Sequence, residues 1–308
     1  MRNHHGRGLR GADAVRQRPG RWGGSGPPGR VPFACPAPLS VLVRLARFVP
    51  TPLVRLASRL MLRVPALRPL FERLAGAIAA GEGVVQRGPA KGLRLRADVN
   101  VAGYRLGTTE PDFQRAFAER VRPGAVVYDL GANVGFYTVL AARLVGPAGR
   151  VVAVEPFPAT AATVRHNARA NGFETVEVVE AAVGAVVGRA WLQTDRHDPV
   201  TFRLGEDRTV EGVEVAATTV DALVAAGHAP PDVVKVDVEG AEVAVLRGMA
   251  ETLAAHRPAL LVEVHEVVAD FPDVVASVLA PLGYRASVLG GGPMPRGGAR
   301  AHVLLDPT

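Results

Sequence analysis

The run Val126–Thr138, VVYDLGANVGFYT, constrains the fold of this chain more than any other stretch. An apolar start, a turn carrying Gly131 and Gly135, and renewed apolar residues read as a buried strand, a tight turn and the start of a helix. The next strand, Val151-Val152-Ala153-Val154-Glu155-Pro156, ends in a carboxylate 24 residues after Gly131. In an open α/β sheet that arrangement seats a nucleoside. The turn approaches the ligand, and the acid accepts hydrogen bonds from two ribose hydroxyls.

The residues inside the turn choose between nucleosides. A dinucleotide site reads G-x-G-x-x-G, bringing bare backbone and a helix N-terminus up to a pyrophosphate. Here Asn133 holds the middle position and Asp129 stands at the mouth. A carboxylate there repels a diphosphate but suits a ligand carrying an ammonium and a sulfonium. S-adenosylmethionine is such a ligand. No G-x-x-x-x-G-K-[ST] run occurs nearby, which argues against a P-loop. Against all nucleoside readings stands a plain strand-turn-helix whose glycines serve only backbone geometry.

Charge and composition narrow the setting. A chain of 308 residues has room for one large α/β domain and an appendage. Cys35 is the single cysteine, so neither an intramolecular disulfide nor a cysteine-built zinc site is available. Only Lys91 and Lys235 accompany 34 arginines, a bias that fits a GC-rich bacterial genome. The net charge of +7 conceals an asymmetry. Residues 1–100 hold 18 Lys/Arg against 4 Asp/Glu, whereas 101–308 hold 18 against 25. An acidic second part argues against nucleic acid as the partner of the main domain.

Residues 1–37, rich in Gly, Arg and Pro, read as disordered or as an extension from an upstream start codon. Residues 38–83 form a basic amphipathic helical segment, cut by Pro50, Pro52, Pro65 and Pro69. No stretch is long and apolar enough to span a bilayer. The expectation is a cytoplasmic protein whose residues 38–80 either pack on the domain or touch an anionic membrane surface. From residue 84 the pattern turns strand-like. A helix with Phe113, Phe117 and Val121 on one face follows Glu110-Pro111. Seven strands are expected near 125–130, 151–156, 176–183, 233–238, 259–265, 284–289 and 301–305. Shorter strands at 190–192, 201–204 and 213–215 should elaborate the ligand-binding edge of the sheet.

A second constellation, Asp232-Val-Val-Lys-Val-Asp-Val-Glu-Gly-Ala-Glu242, puts Lys235, Asp237 and Glu239 at alternate positions, on one face of a strand and its exit. Such charges are costly on a central strand unless paired or solvated by a cleft. They serve either a catalytic site or a network that stiffens the strand end. Glu242, one turn into the next helix, is expected to orient that network.

With these runs the chain resembles the FkbM family of S-adenosylmethionine-dependent methyltransferases. The matching segments are Tyr128–Thr138, Val154–Pro158, Asn167 with Asn171-Gly172, Val179–Gly184 and Val234–Glu242, and the likeness covers roughly residues 85–290. It implies a methyltransferase domain over 84–308, with a Rossmann-like α/β sheet of seven strands in the order 3-2-1-4-5-7-6, the last antiparallel. It also implies O-methylation of a small-molecule or glycan acceptor. By carry-over, Gly131, Asn133 and Gly135 shape the cofactor loop, with Asp129 beside the methionyl part. Glu155 holds the ribose diol, Glu180 and Ala181 flank adenine, and Phe157 adds an apolar contact. Asp237 is the first candidate base and His265, just past the fifth strand, the second; Lys235 and Glu239 complete the catalytic group. No metal ligand is assigned. The alternative is a divalent ion held by Asp237 with Glu263 or Glu266. Two rival functions remain at this stage: an NAD-linked oxidoreductase, and a non-catalytic nucleoside-binding, membrane-associated protein.

Overall fold

The computed structural model describes residues 82–96, 102–194, 202–205, 212–265, 268, 270–297 and 300–308. The expected extension at 1–37, nearly all of the basic segment and Glu266 lie outside these residues. Among the described residues, no helix is long and apolar enough to cross a membrane.

Two short strands, β1 (Glu82–Val84) and β2 (Arg94–Arg96), pair antiparallel. Strand structure therefore begins two residues before the expected boundary at 84. The helices α1 (Ala102–Leu106) and α2 (Pro111–Arg120) follow. Pro111 sits at the start of α2, where its missing N–H costs nothing. Phe113 and Phe117, four apart, bury the same face, as their spacing requires.

The sheet then alternates with helices: β3 (Val126–Leu130), α3 (Phe136–Val145), β4 (Arg150–Val154), α4 (Pro158–Ala170) and β5 (Val176–Val179). After an inserted region come α5 (Val220–Ala225), β10 (Val233–Val236), α6 (Glu242–Arg247), α7 (Ala250–His256) and β11 (Ala259–Val264). The hairpin strands β12 (Tyr284–Val288) and β13 (Ala301–Pro307) close the edge. The seven strands lie in the order β12-β13-β11-β10-β3-β4-β5. Counted within the sheet and read from the other edge, this is the expected 3-2-1-4-5-7-6. All neighbours from β5 to β11 pair parallel, and β13 runs antiparallel to both of its partners.

Strand alternation sends successive side chains to two separate cores. Val127, Val151, Val233 and Leu261 pack with Phe113, Phe117 and Leu140 on one face. Tyr128, Leu130, Val152, Val234 and Leu260 pack with Leu246, Met249 and Leu253 on the other. Leu130 has no exposed surface, and truncating it to alanine would cost about 2–5 kcal/mol.

The expected strand over 176–183 is two strands. The chain leaves the main sheet after β5, and β6 (Ala182–Val183) joins β7 (Gly188–Thr194), β8 (Phe202–Gly205) and β9 (Gly212–Thr218) in a separate four-stranded sheet, order β6-β9-β7-β8. The break falls at Glu180-Ala181, where the strand reaches the ligand edge. Valines on both sides of the break favour a strand without saying which sheet it joins.

Asn167 and Asn171 do something their sequence positions did not announce. Arg96 N–H donates to Asn167 Oδ1 (2.7 Å), and Asn167 Nδ2 returns a bond to Arg96 O (2.9 Å). Arg94 N–H and O make the same exchange with Asn171, at 2.8 and 2.7 Å. Side-chain amides spaced one helical turn apart thus mimic a strand edge along β2. Asn167 Nδ2 also donates to Val134 O (2.8 Å), which ties this contact to the glycine turn.

Candidate active site

The turn after β3 is shaped by left-handed backbone at Gly131 (φ 74°), Asn133 (φ 50°) and Gly135 (φ 82°). Gly131 is required twice over: a Cβ there would lie 1.8 Å from the Asp237 carbonyl oxygen. At Gly135 a Cβ would meet Val164 of α4 at 3.0 Å, so this glycine lets the two helices pack. Asn133 tolerates its conformation by accepting Val134 N–H on Oδ1 at 2.7 Å.

Glu155, just past β4, faces this turn. Its Oε2 accepts Asn133 N–H at 2.9 Å and its Oε1 accepts Phe157 N–H at 3.0 Å. Burial pushes this carboxyl up to about 7, against the pull of the two backbone N–H groups. Gly131, Asn133, Glu155, Ala181, Val183, Leu192, Asp237 and Glu239 line one open cleft. One end offers bare backbone, a carboxylate with free lone pairs and small apolar walls. Those features fit the ribose and adenine of S-adenosylmethionine.

Lys235 organises the cleft from below. Register places it beside Asp129 on β3. Its Nζ donates to Gly131 O at 2.8 Å and sits 3.3 Å from Asp129 Oδ1 and 3.2 Å from Asp237 Oδ2. Burial opposes the ammonium charge, but Asp237 and Asp129 outweigh it and hold this lysine above its ordinary range. Thr138 Oγ1 donates to Asp129 Oδ2 at 2.6 Å. Asp129 is fully buried. It supports Lys235, and the cleft lining does not include it.

The other end of the cleft is crowded with charge. Asp237, at the exit of β10, is drawn above the ordinary carboxylate range by burial, with Lys235 pulling the other way. His265 Nδ1 lies 2.6 Å from Glu242 Oε1, and its Nε2 lies 3.1 Å from Glu239 and 3.8 Å from Asp237. Burial disfavours the imidazolium, yet the Glu239 and Glu242 carboxylates win and raise His265 to about 10. Glu242 also accepts Gly240 N–H at 3.0 Å and has no exposed surface, as its orienting role requires.

Beside this lies a group that sequence reading largely missed. Glu263 of β11 pairs across the strands with His302 of β13. Arg300 reaches Glu263 at 3.1 Å, His302 lies 3.7 Å from Glu263 and 3.9 Å from Glu110, and Tyr137 O–H donates to Glu110 at 3.1 Å. Burial and the Glu263 charge raise Glu110 to about 6. A lone acid within the apolar ALLVEV strand signalled Glu263. The segment around Tyr104–Glu110 reads in the sequence as part of the acceptor pocket, whereas His302 carries no comparable signal, since its partners are far away in the chain.

Of the remaining expected residues, Glu180 is exposed and ion-paired with Arg165. Phe157 packs on Ala182, Leu192 and Val215 of the second sheet, outside the cleft lining.

A parallel sheet in this strand order, with a glycine turn ending its first strand and a carboxylate ending its second on one cleft, defines a Rossmann-like methyltransferase using S-adenosylmethionine. The chain belongs to the methyltransferase FkbM domain family, whose model matches residues 129–286. It is 30% identical over 159 residues to the hexuronic acid methyltransferase AglP of Haloferax volcanii, covering 51% of this chain and 62% of that protein. The chain thus spans less than two-thirds of that relative. It is 28% identical over 222 residues to the 31-O-demethyl-FK506 methyltransferase FkbM of Streptomyces tacrolimicus, covering 60% and 85%. Among solved structures, a methyltransferase FkbM from Methylobacillus flagellatus aligns with a TM-score of 0.43 at 18% identity, over 67% of this chain and 52% of that one. Family membership removes the NAD-linked alternative.

Proposed function

We propose that the protein methylates a hydroxyl oxygen of a glycan or secondary metabolite. The observation that carries this reading is Asp237: a carboxylate of raised basicity that lines the same cleft as Glu155 and rests on Lys235. When bound, the cofactor supplies an electrophilic methyl group on a sulfonium. The chain's own task is to hold the acceptor oxygen in line with it, about 3 Å away, and to take up the acceptor's proton.

Gly131 and Asn133 present backbone to the cofactor, Glu155 accepts from the ribose hydroxyls, and Ala181, Val183 and Leu192 wall the adenine. Asp237 accepts the proton, and Lys235 fixes its orientation. His265 acts as a positioning residue among the carboxylates around it. Glu110, Glu263, Tyr137 and His302 offer alternating donors and acceptors, the pattern that suits a hydroxyl-rich acceptor. Two relatives, one named for hexuronic acid and one for a 31-O-demethyl compound, support the same acceptor class.

The test is methyl transfer from labelled S-adenosylmethionine to a panel of hexuronates, other glycans and macrolide alcohols, with the product atom located by NMR. Methylation at an oxygen, greatly slowed in Asp237→Asn, is the expected result. Transfer to nitrogen or carbon would overturn it.

A further inference from the structure

His265 is held from two sides in a way that an ion pair alone does not need. Its ring is 2% exposed. Nδ1 faces Glu242 Oε1 at 2.6 Å, on a carboxylate with no exposed surface. Nε2 lies on the other side of the ring, toward Asp237 and Glu239, and among the described residues it has no hydrogen-bond partner. Ahead of it stand Glu239 Oε2 at 3.1 Å and Asp237 Oδ1 at 3.8 Å, and Glu239 Oε2 also lacks a hydrogen bond. One ligand atom from each of Asp237, Glu239 and His265 lies within 4.8 Å of the others.

Three such atoms gathered within 4.8 Å of one another, one of them a buried imidazole nitrogen, are arranged as the ligands of a cation would be. A carboxylate on the far ring nitrogen is the usual support of a metal-bound histidine. It holds the proton on Nδ1, so that a metal ion taking the place of the Nε2 proton would meet that nitrogen's lone pair. Glu242 occupies that place. One nitrogen and two carboxylate oxygens suit a divalent transition ion of the manganese or zinc type better than magnesium, which prefers oxygen throughout.

We propose that Asp237, Glu239 and His265 bind a single divalent transition-metal ion, with Glu242 as the outer carboxylate that orients His265. Asp237 and Glu239 also line the cleft, so the ion would stand at the acceptor end with coordination positions open to an acceptor oxygen. There it would ease loss of the acceptor's proton, a task shared with Asp237. That catalytic consequence rests on the methyl-transfer reading; the binding itself does not.

The experiment is a Mn²⁺ titration of the full chain without cofactor, following loss of the free-ion EPR signal. The expected result is one ion per chain, with affinity lowered about ten-fold or more in Glu239→Gln and His265→Gln and about ten-fold in Glu242→Gln. Glu263→Gln, in the neighbouring cluster, should keep its Mn²⁺ affinity. S-adenosylhomocysteine binding, measured on every variant, reports that each is folded and tests the cofactor site separately. If His265→Gln fails that control, Glu239→Gln alone decides. No stoichiometric binding up to millimolar Mn²⁺ overturns the proposal, as does binding that Glu239→Gln leaves unchanged or that only Glu263→Gln removes. Absent Mn²⁺ binding beside intact S-adenosylhomocysteine binding sinks the ion and spares the methyltransferase reading; the converse result does the opposite.

Discussion

The two ends of the cleft are built from different materials. The cofactor end consists of a turn of backbone, one carboxylate and small apolar walls, and its key contact joins Asn133 N–H to Glu155 across a single β-α-β unit. The acceptor end consists of charged side chains drawn from α1–α2, β10, α6, β11 and β13. Local geometry dictates the first: positive φ in the turn and a carboxylate at a strand end. Long-range pairing dictates the second, where Glu110 meets His302 only because the sheet closes antiparallel.

That contrast can be broken by mutation, and the largest effect should fall at the acceptor end. Asp237→Asn is expected to lower kcat by ~10²–10⁴-fold, the range of a general base, while S-adenosylhomocysteine still binds. Equal losses in kcat and cofactor affinity would mean that the two ends are not separable. Glu155→Ala should act in the opposite sense. Cofactor affinity should fall about ten- to a hundred-fold through loss of charge-assisted bonds, with kcat at saturation less affected. Calorimetry that finds normal binding in this variant would remove the ribose assignment.

A pH series sharpens the same division. Glu155 is raised to about 7, chiefly by burial. Its contribution to folding is therefore fully present below the unfolded value near 4.5 and lost as pH rises through about 7. Ribose hydroxyls donate to the ionised form, so S-adenosylhomocysteine affinity should rise by up to about ten-fold per pH unit below that point and level off above it. A profile unchanged in Glu155→Gln would assign the titration elsewhere. The smallest effect belongs to Glu180→Ala, because this side chain is engaged with Arg165 at the surface. Cofactor affinity and stability should each change by less than ~1 kcal/mol. A large loss of affinity would return Glu180 to the adenine site.

The sequence made the cofactor end readable for a physical reason. Gly131, Asn133 and Glu155 are fixed by short-range rules that leave marks at fixed spacings, and the strand order followed once the family resemblance was recognised. Lys235, Asp237 and Glu239 were equally visible, since charge at alternate positions of a buried strand needs partners. The direction of Asp129 was not visible, because Thr138 and Lys235 reach it from other elements. Nor was the state of His265. Its ordinary titration range says nothing about three carboxylates that fold around it. The split between β5 and β6 was hidden for a third reason: the valines on both sides of it favour a strand without saying which sheet it joins.

The asparagine pair beside β2 has a bearing beyond the site. A strand with an open edge invites a strand from another chain, which is a route to aggregation. Here Arg94 and Arg96 present their outward N–H and C=O groups to Asn167 and Asn171. A helix thereby closes the edge of a ribbon without contributing a strand, and denies neighbouring molecules a place to pair.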